Sequence, residues 1–306
     1  MPQKPSPLAA RPEALPRITW PLNDLRRTIE PDLPGFTCEA LLEVDSTNSE
    51  LMRRFKAGQL APTLLVAEQQ TAGRGRVGRQ WHSVRGDSLT FSLGMMLSPA
   101  AWSGLSLAVG VSLAESLDEK RENSGAAAGE GAIASHIGLK WPNDLWLAGQ
   151  IGGESKLAGV LIETAVWEGM RYAVIGVGIN IRPVQMPPGK SGTTAAVPPG
   201  HLQQLLPLAS AADVLLRVVP PLVQTVQSFA LFGFEPFQAR FAQRDVLAGR
   251  CVDLSDGGQG QSHGVTIDGA LKVQTESGMV IVAAAEVSVR PARPTGGAAS
   301  GDAPAC

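Results

Sequence analysis

Cysteine is scarce in this 306-residue chain: Cys38, Cys251 and Cys306 are the whole supply. None sits in a Cys-x-x-Cys pair, and the odd count argues against a disulfide framework. Four histidines (His82, His136, His201, His263) are scattered at no metal-ligand spacing, so a zinc site is not expected. Neither sign of charge dominates: 26 Lys and Arg against 28 Asp and Glu leave a net charge of −2. That excludes a strongly basic nucleic-acid binder while allowing a local basic loop. Residues 1–20 are proline-rich and broken by charge, without the apolar run of a signal peptide. Residues 88–114 carry no charge, but Pro99 and interspersed glycines and serines break the run of ~20 apolar residues that a membrane helix needs. The stretch reads as a strand over 90–97 and an amphipathic helix over 101–117. The expectation is a cytoplasmic enzyme with no membrane span.

What the chain does have is concentrated in Thr71-Ala72-Gly73-Arg74-Gly75-Arg76-Val77-Gly78-Arg79-Gln80-Trp81. Glycines allow positive φ and close backbone approach to a ligand. Successive N–H groups in such a loop make an anion-binding concavity, and arginines add forked donors for phosphate or carboxylate. The plain alternatives are a surface hairpin or an Arg-Gly nucleic-acid contact. The latter needs repetition, and the motif occurs once. The loop lacks the Gly-Lys-Ser/Thr ending of a Walker loop, and arginines stand where a dinucleotide fingerprint would open its helix.

Three further motifs follow. In Lys140-Trp141-Pro142-Asn143-Asp144, proline stiffens a turn and Trp141 anchors it, so Lys140, Asn143 and Asp144 are held at fixed angles. Lys140 suits a phosphate, and Asp144 suits a nucleophile or a metal; an ordinary Asn-Asp turn is the plain reading. Lys156 opens the apolar run 157–164, either as a solvated strand end or as an amine facing an anion. Asn180 closes the run Gly176-Val177-Gly178-Ile179, where an unpaired amide would be costly, so backbone or ligand must satisfy it. No nucleophilic triad accompanies these groups. Cations and amides around one anionic site, with no protein nucleophile, fit activation of a carboxylate by a nucleotide.

The coarse layout is a Pro-rich, partly extended segment over 1–35, a catalytic region over 36–246, a small all-β region over 247–293 and a disordered tail over 294–306. Asp45–Ser49 offers helix caps for a short helix over 50–55, and 63–69 and 172–181 read as strands. A loop insertion is expected over 121–135. Residues 211–232 read as a helix that Pro220-Pro221 must kink or split. Phe234, Phe237 and Phe241 read as core. Five short strands are expected at 251–254, 264–267, 271–275, 279–283 and 286–289.

Taken in order, these motifs resemble the biotin protein ligase (biotin–[acetyl-CoA-carboxylase] ligase) family. The matching stretches are 45–48, 68–81, 140–145, 156–161 and 176–180, with 264–271 and 286–290 resembling the family's SH3-like cap. The resemblance implies an α+β fold: a mixed sheet flanked by helices, then a small SH3-like barrel. It implies that biotin and Mg-ATP (Mg2+ arriving with the nucleotide) give biotinyl-5′-AMP, from which a lysine of the biotin carboxyl carrier protein of acetyl-CoA carboxylase takes biotin. By the same resemblance Ser46, Thr47, Asn48, Gln70, Arg74, Gly75, Arg76, Lys156, Gly159 and Leu161 serve biotin. Arg76, Trp81, Lys140, Asn143, Lys156 and Asn180 serve ATP, with Trp81 over the adenine. Arg76, Lys140, Asp144 and Lys156 form the catalytic set, and Asp144 orients the incoming amine. The 45 residues before Ser46 are too few for the winged-helix DNA-binding domain that some members carry, so no DNA partner is expected; a homodimer is left open. The connection 150–155 is longer than usual in the family. The rivals are a lipoate ligase or octanoyl transferase, and a DNA-binding repressor.

Overall fold

A computed structural model describes residues 17–118, 136–147, 154–183, 197–255, 257–283 and 289–291. Seven strands form the main sheet: β1 (Thr37–Val44), β2 (Thr63–Gln70), β3 (Ser88–Met96), β4 (Ile137–Lys140), β5 (Asp144–Leu147), β6 (Ser155–Trp167) and β7 (Met170–Asn180). Their order is β1-β2-β3-β7-β6-β5-β4. Only β1 and β2 are parallel, joined through helix α2 (Thr47–Lys56); every other neighbouring pair is antiparallel. The sheet is therefore mixed, and the fold is α+β. Helices α1 (Leu22–Ile29), α3 (Leu105–Leu117), α4 (Ala211–Phe232) and α5 (Glu235–Ala242) complete the larger part.

Strand alternation sorts this sheet into two faces. Leu89, Phe91, Leu93, Ile175, Val177 and Ile179 are buried and join α3 and α4 in one core. The intervening positions are small or polar except for Leu161: Ser92, Gly176 and Leu161 lie in one row, and Thr90, Gly178 and Gly159 in the next. Helix α2 covers one end of that second face with Leu51 and Phe55, packed on Leu65, Tyr172 and Val174. The rest of it is open for chemistry.

Several local expectations change. Residues 22–29 are helical, with Leu25 and Ile29 buried, where the sequence reads as an extended segment. Pro21 precedes this helix, and the local proline content masks the apolar spacing behind it. Helix α3 is not amphipathic: ten of its thirteen residues are buried, because it lies between the sheet and α4 and α5. Helix α4 is not split at Pro220-Pro221. An internal proline costs about 3 kcal/mol, but Leu215, Val218, Val219, Leu222, Val226 and Phe229 are fully buried on both sides of the pair. Each contributes roughly 1.5–3 kcal/mol, which outweighs the lost bonds. Among the described residues α4 is also the one helix long and apolar enough to cross a membrane; here it packs on α1, α3 and β3. The uncharged stretch 88–114 forms β3 and part of α3.

The small sheet comprises β8 (Cys251–Leu254), β9 (Gln259–Val265), β10 (Leu271–Thr275), β11 (Gly278–Val282) and β12 (Val289–Pro291), ordered β11-β10-β9-β8-β12 and antiparallel throughout. This is the small SH3-like barrel. Strand β9 starts earlier than the apolar run over 264–267, because its pairing with β8 and β10 extends through polar Gln259–His263. Apolar residues of the small sheet, among them Val252, Val265 and Val273, belong to the same continuous core as α3 and α4. Cys38 is a free thiol, and Cys306 lies outside the described residues. The insertion over 121–135, the loop residues 184–196, residues 150–153 and 286–288 and the tail over 294–306 lie outside the described residues.

The segment joining α5 to β8 holds a buried carboxyl. Asp245 Oδ1 accepts from Leu247 N at 2.9 Å, while its buried Oδ2 has no partner. Burial raises this carboxyl from 3.8 to about 6, against the opposing pull of the Leu247 N–H. A raised carboxyl pKa means that the folded protein holds more proton than the unfolded chain between these two values. Its contribution is therefore most favourable below pH 3.8 and is lost as pH rises through about 6. Asp245→Asn keeps the acceptor and removes the charge. It is expected to stabilise the protein at pH 8 by on the order of 1–3 kcal/mol, with a smaller gain at pH 5. Urea unfolding of both proteins at the two pH values checks this. An equal difference at both would rule out the carboxyl as its source.

Candidate active site

The site is a cavity of about 130 Å³ on the polar face, walled by the start of α2, the loop after β2, the β4–β5 turn, the first half of β6 and the second half of β7. Its floor is main chain. Gly159 and Gly178 are register partners, and the Trp81 indole lies across them. A Cβ on Gly178 would overlap that ring, and one on Gly159 would stand 3.5 Å from it. Gly176 meets Asn48 Oδ1 in the same way. Close approach, rather than a turn, is why these positions are glycine.

One end of the cavity is neutral and densely hydrogen-bonded. Ser46 caps α2, which places Thr47 and Asn48 in its first turn. Gln70 Oε1 accepts from Thr47 N at 2.8 Å and faces Thr47 Oγ1 at 3.1 Å. Ser92, fully buried on β3, lies 2.7 Å from Thr47 Oγ1 and donates to Asn48 Oδ1 at 2.6 Å. Asn48 Nδ2 donates to Leu161 O at 3.2 Å and Glu163 Oε2 at 2.9 Å. Arg74 also reaches Glu163, at 2.6 Å, and so ties the loop to β6.

The other end is cationic. Lys140 is buried, and Arg76 sits opposite Asn143 at 3.5 Å. Lys156 Nζ contacts Asp144 Oδ1 at 2.6 Å. A cavity facing both Lys156 and Gly159 needs a break in strand alternation, since residues three apart normally point to opposite faces. The break is a register shift between Leu145 and Trp146, opposite Lys156–Ala158. Burial pushes the Lys140 ammonium down to about 8; Asp144 opposes this, while Lys156, Arg79 and Arg76 add to it. Burial also lowers the Arg76 guanidinium from its ordinary value, with Asp144 opposing. Asp144 is the only acidic side chain on the wall among the described residues, against Arg74, Arg76, Arg79, Lys140 and Lys156. The arrangement is a seat for anions.

The cavity brings together Ser46, Thr47, Asn48, Gln70, Arg74, Gly75, Arg76, Trp81, Lys140, Asn143, Asp144, Lys156, Gly159 and Leu161. Asn180 stands off the wall: its Nδ2 donates to Lys156 O at 3.3 Å and Gly200 O at 3.0 Å. Of the two readings of that amide, the backbone satisfies it. Asn143 is likewise tied to β6, exchanging bonds of 2.7 and 2.9 Å with Val160. Sequence reading did not single out Ser92 or Glu163. The visible signal was the alternation Thr90, Ser92, Gly94 in an apolar strand, and a lone acid in the run after Lys156.

A neutral pocket leads into a cationic one, which suits a ligand with a neutral body and an anionic end. Comparison with known proteins identifies the family. Residues 42–180 match the Biotin/lipoate A/B protein ligase family. The bifunctional ligase/repressor BirA of Salmonella typhimurium is 33% identical over 258 residues, covering 81% of this chain and 73% of that protein. The biotin–[acetyl-CoA-carboxylase] ligase of Paracoccus denitrificans is 29% identical, covering 81% of this chain and 98% of that one. The structure of a biotin protein ligase from Aquifex aeolicus in complex with biotin and ATP superposes with a TM-score of 0.64 at 28% identity, covering 83% of this chain and 99% of that one. The chain belongs to the biotin protein ligase family, and it is a ligase.

Proposed function

We propose that the protein activates biotin with Mg-ATP and transfers it to a lysine of the biotin carboxyl carrier protein of acetyl-CoA carboxylase. In the first step a biotin carboxylate oxygen attacks the α-phosphorus, pyrophosphate leaves, and biotinyl-5′-AMP forms. In the second the carrier amine attacks the acyl carbon, loses a proton, and AMP leaves. The observation that carries this reading is the continuity of the two ends of the cavity over one glycine floor.

The neutral end suits a ureido ring. Ser46, Thr47 and Gln70 would meet it, and Asn48 would hold Thr47 and the β6 backbone in place. Gly159 and Leu161 would follow the bicyclic body. At the cationic end two anions must meet. Two unit charges about 4 Å apart repel by about 4 kcal/mol at an effective dielectric of ~20. Arg76 and Lys156 at the junction would offset that repulsion, and they gain most as charge builds on the phosphate. Lys140 would take a phosphate, which restores the proton affinity that burial removes. Trp81 would cover the adenine, and Arg74 would close the loop on the ligand.

The test is biotin-dependent exchange of pyrophosphate into ATP, followed by labelling of a carrier domain. Exchange with biotin and not lipoate, then one biotin per carrier lysine, is expected. Exchange with lipoate alone would transfer the reading to the lipoate branch of the family. Asp144 is assigned to orient the carrier amine, so Asp144→Asn is expected to slow transfer from preformed adenylate. Transfer at the unsubstituted rate would remove that role.

A further inference from the structure

The Lys140–Asp144 turn is gripped from a side that the cavity does not explain. Trp141, fully buried, donates from Nε1 to Gly269 O at 3.1 Å. Gly269 lies in the turn between β9 and β10 of the small sheet, at φ +84°. That turn is closed on itself: Thr266 N donates to Ala270 O at 2.8 Å, Gly269 N to Thr266 O at 3.0 Å, and Ala270 N to Thr266 Oγ1 at 3.0 Å. Its tip is pressed against Gly104, so that a Cβ on Gly269 would stand 2.7 Å from Gly104 Cα. Gly104 precedes the first turn of α3, and Ser106 in that turn donates to Pro142 O at 2.9 Å. The small-sheet turn, the start of α3 and the 140–144 turn thus meet at one point. Among the described residues no wall of the cavity comes from the small sheet itself.

We infer that the 266–270 turn is a positioning element for the nucleotide half of the site: Gly269, through Trp141, sets the angle at which Lys140, Asn143 and Asp144 enter the cavity. This rests on the ligase reading above. The neutral end is held by α2, β2, β3 and β6, and none of the hydrogen bonds at Thr47, Asn48 and Gln70 reaches the 266–270 turn. Disturbing the Trp141–Gly269 contact therefore acts on ATP and spares biotin. Two rigid turns joined by one buried hydrogen bond transmit displacement, because packed groups have no slack to absorb it.

The experiment compares Trp141→Phe, Gly269→Ala, the double variant and Gln238→Ala in the full chain. Trp141→Phe keeps the ring bulk and removes the donor. Gly269→Ala forces the turn away from Gly104. Gln238 links α5 to Val265 O at 3.0 Å, outside the turn, and controls for general attachment of the small sheet. In pyrophosphate exchange each single variant at 141 or 269 is expected to raise the KM for ATP about 5- to 20-fold, with the KM for biotin within twofold. The double variant is expected to be no worse than the worse single one, since both break one contact. Gln238→Ala is expected to stay within twofold for both substrates. In Trp141→Phe the amides of Asn143–Leu147 are expected to exchange hydrogen at least tenfold faster, with those of Leu89–Leu93 unchanged. An unchanged KM for ATP, equal rises for both substrates, or additive losses in the double variant would overturn the inference. If the unsubstituted protein shows no biotin-dependent exchange of pyrophosphate, the ligase reading fails. Hydrogen exchange at Asn143–Leu147 then decides alone whether the contact holds the turn.

Discussion

Lys156→Ala is expected to slow adenylate formation by roughly 10²–10³-fold, the usual loss when one preorganised donor is removed from a developing oxyanion, while biotin affinity changes little. The ammonium stands 2.6 Å from Asp144 and 6.0 Å from the centre of the Trp81 ring. It also stands 3.4 Å from where a Cβ on Gly159 would be, so it borders the glycine floor at the cationic end. Removing it deprives the carboxylate–phosphate junction of one cation and leaves the Asp144 carboxylate, 13% exposed, without its nearest partner. Asp144 then draws more on Arg76 and Lys140, so less positive charge is left for the approaching phosphate. The neutral end shares no hydrogen bond with Lys156 among those at Thr47, Asn48 and Gln70. Single-turnover formation of adenylate, with calorimetry for biotin alone, separates the two effects. A rate loss below tenfold would place the essential charge elsewhere, with Arg76 or Lys140 as the next candidate.

Gly176→Ala is expected to be the most damaging small substitution in the site, at about 2–4 kcal/mol of stability with loss of biotin binding. The new methyl would overlap Asn48 Oδ1. Asn48 has nowhere to go, because Ser92, Leu161 and Glu163 hold both ends of its amide in a place only 3% exposed. Moving it leaves buried donors and acceptors unpaired, at about 1–3 kcal/mol each. Gly178→Ala is the instructive contrast. Its methyl meets the Trp81 ring, which belongs to a loop rather than to the core. The loop can lift, so the expected cost in stability is under about 1 kcal/mol, in line with a surface change, and the defect falls on ligand binding. Denaturant unfolding of both variants checks the order; equal destabilisation would show that the loop is as firmly seated as Asn48.

The difference between these two glycines also shows what could be read from the chain. Apolar runs exposed the strands, read over 63–69 and 172–181 and found at Thr63–Gln70 and Met170–Asn180, and the Gly176/Gly178 pair announced close contact. What touched them was hidden, because Asn48 and Trp81 lie far away along the chain and meet the glycines only through sheet register. Ser92 and Glu163 were missed for the same reason: their partner Asn48 is separated from them by 44 and 115 residues. The Gly-Arg loop and the Lys140–Asp144 turn were legible because each gathers its chemistry in a few consecutive residues. Lys156 was legible as a lysine opening an apolar strand, but not its direction, which depends on a bulge that no local pattern records. Helix α1 was obscured by prolines on either side of it, and the grip of Gly269 on Trp141 spans 128 residues of sequence.

The floor of the cavity is peptide backbone rather than side chain, and this limits how such a site can change. Two of its glycines offer nothing to exchange for a different preference: a carbon added at Gly176 collides with Asn48 and one at Gly178 with Trp81, while one at Gly159 would only fill the contact with Lys156 and Trp81. Variation that widens the choice of acid must therefore arise around the rim, in the loop carrying Arg74 and Trp81 or in the first turn of α2. A library built to accept altered vitamin analogues should hold positions 176 and 178 constant and randomise there.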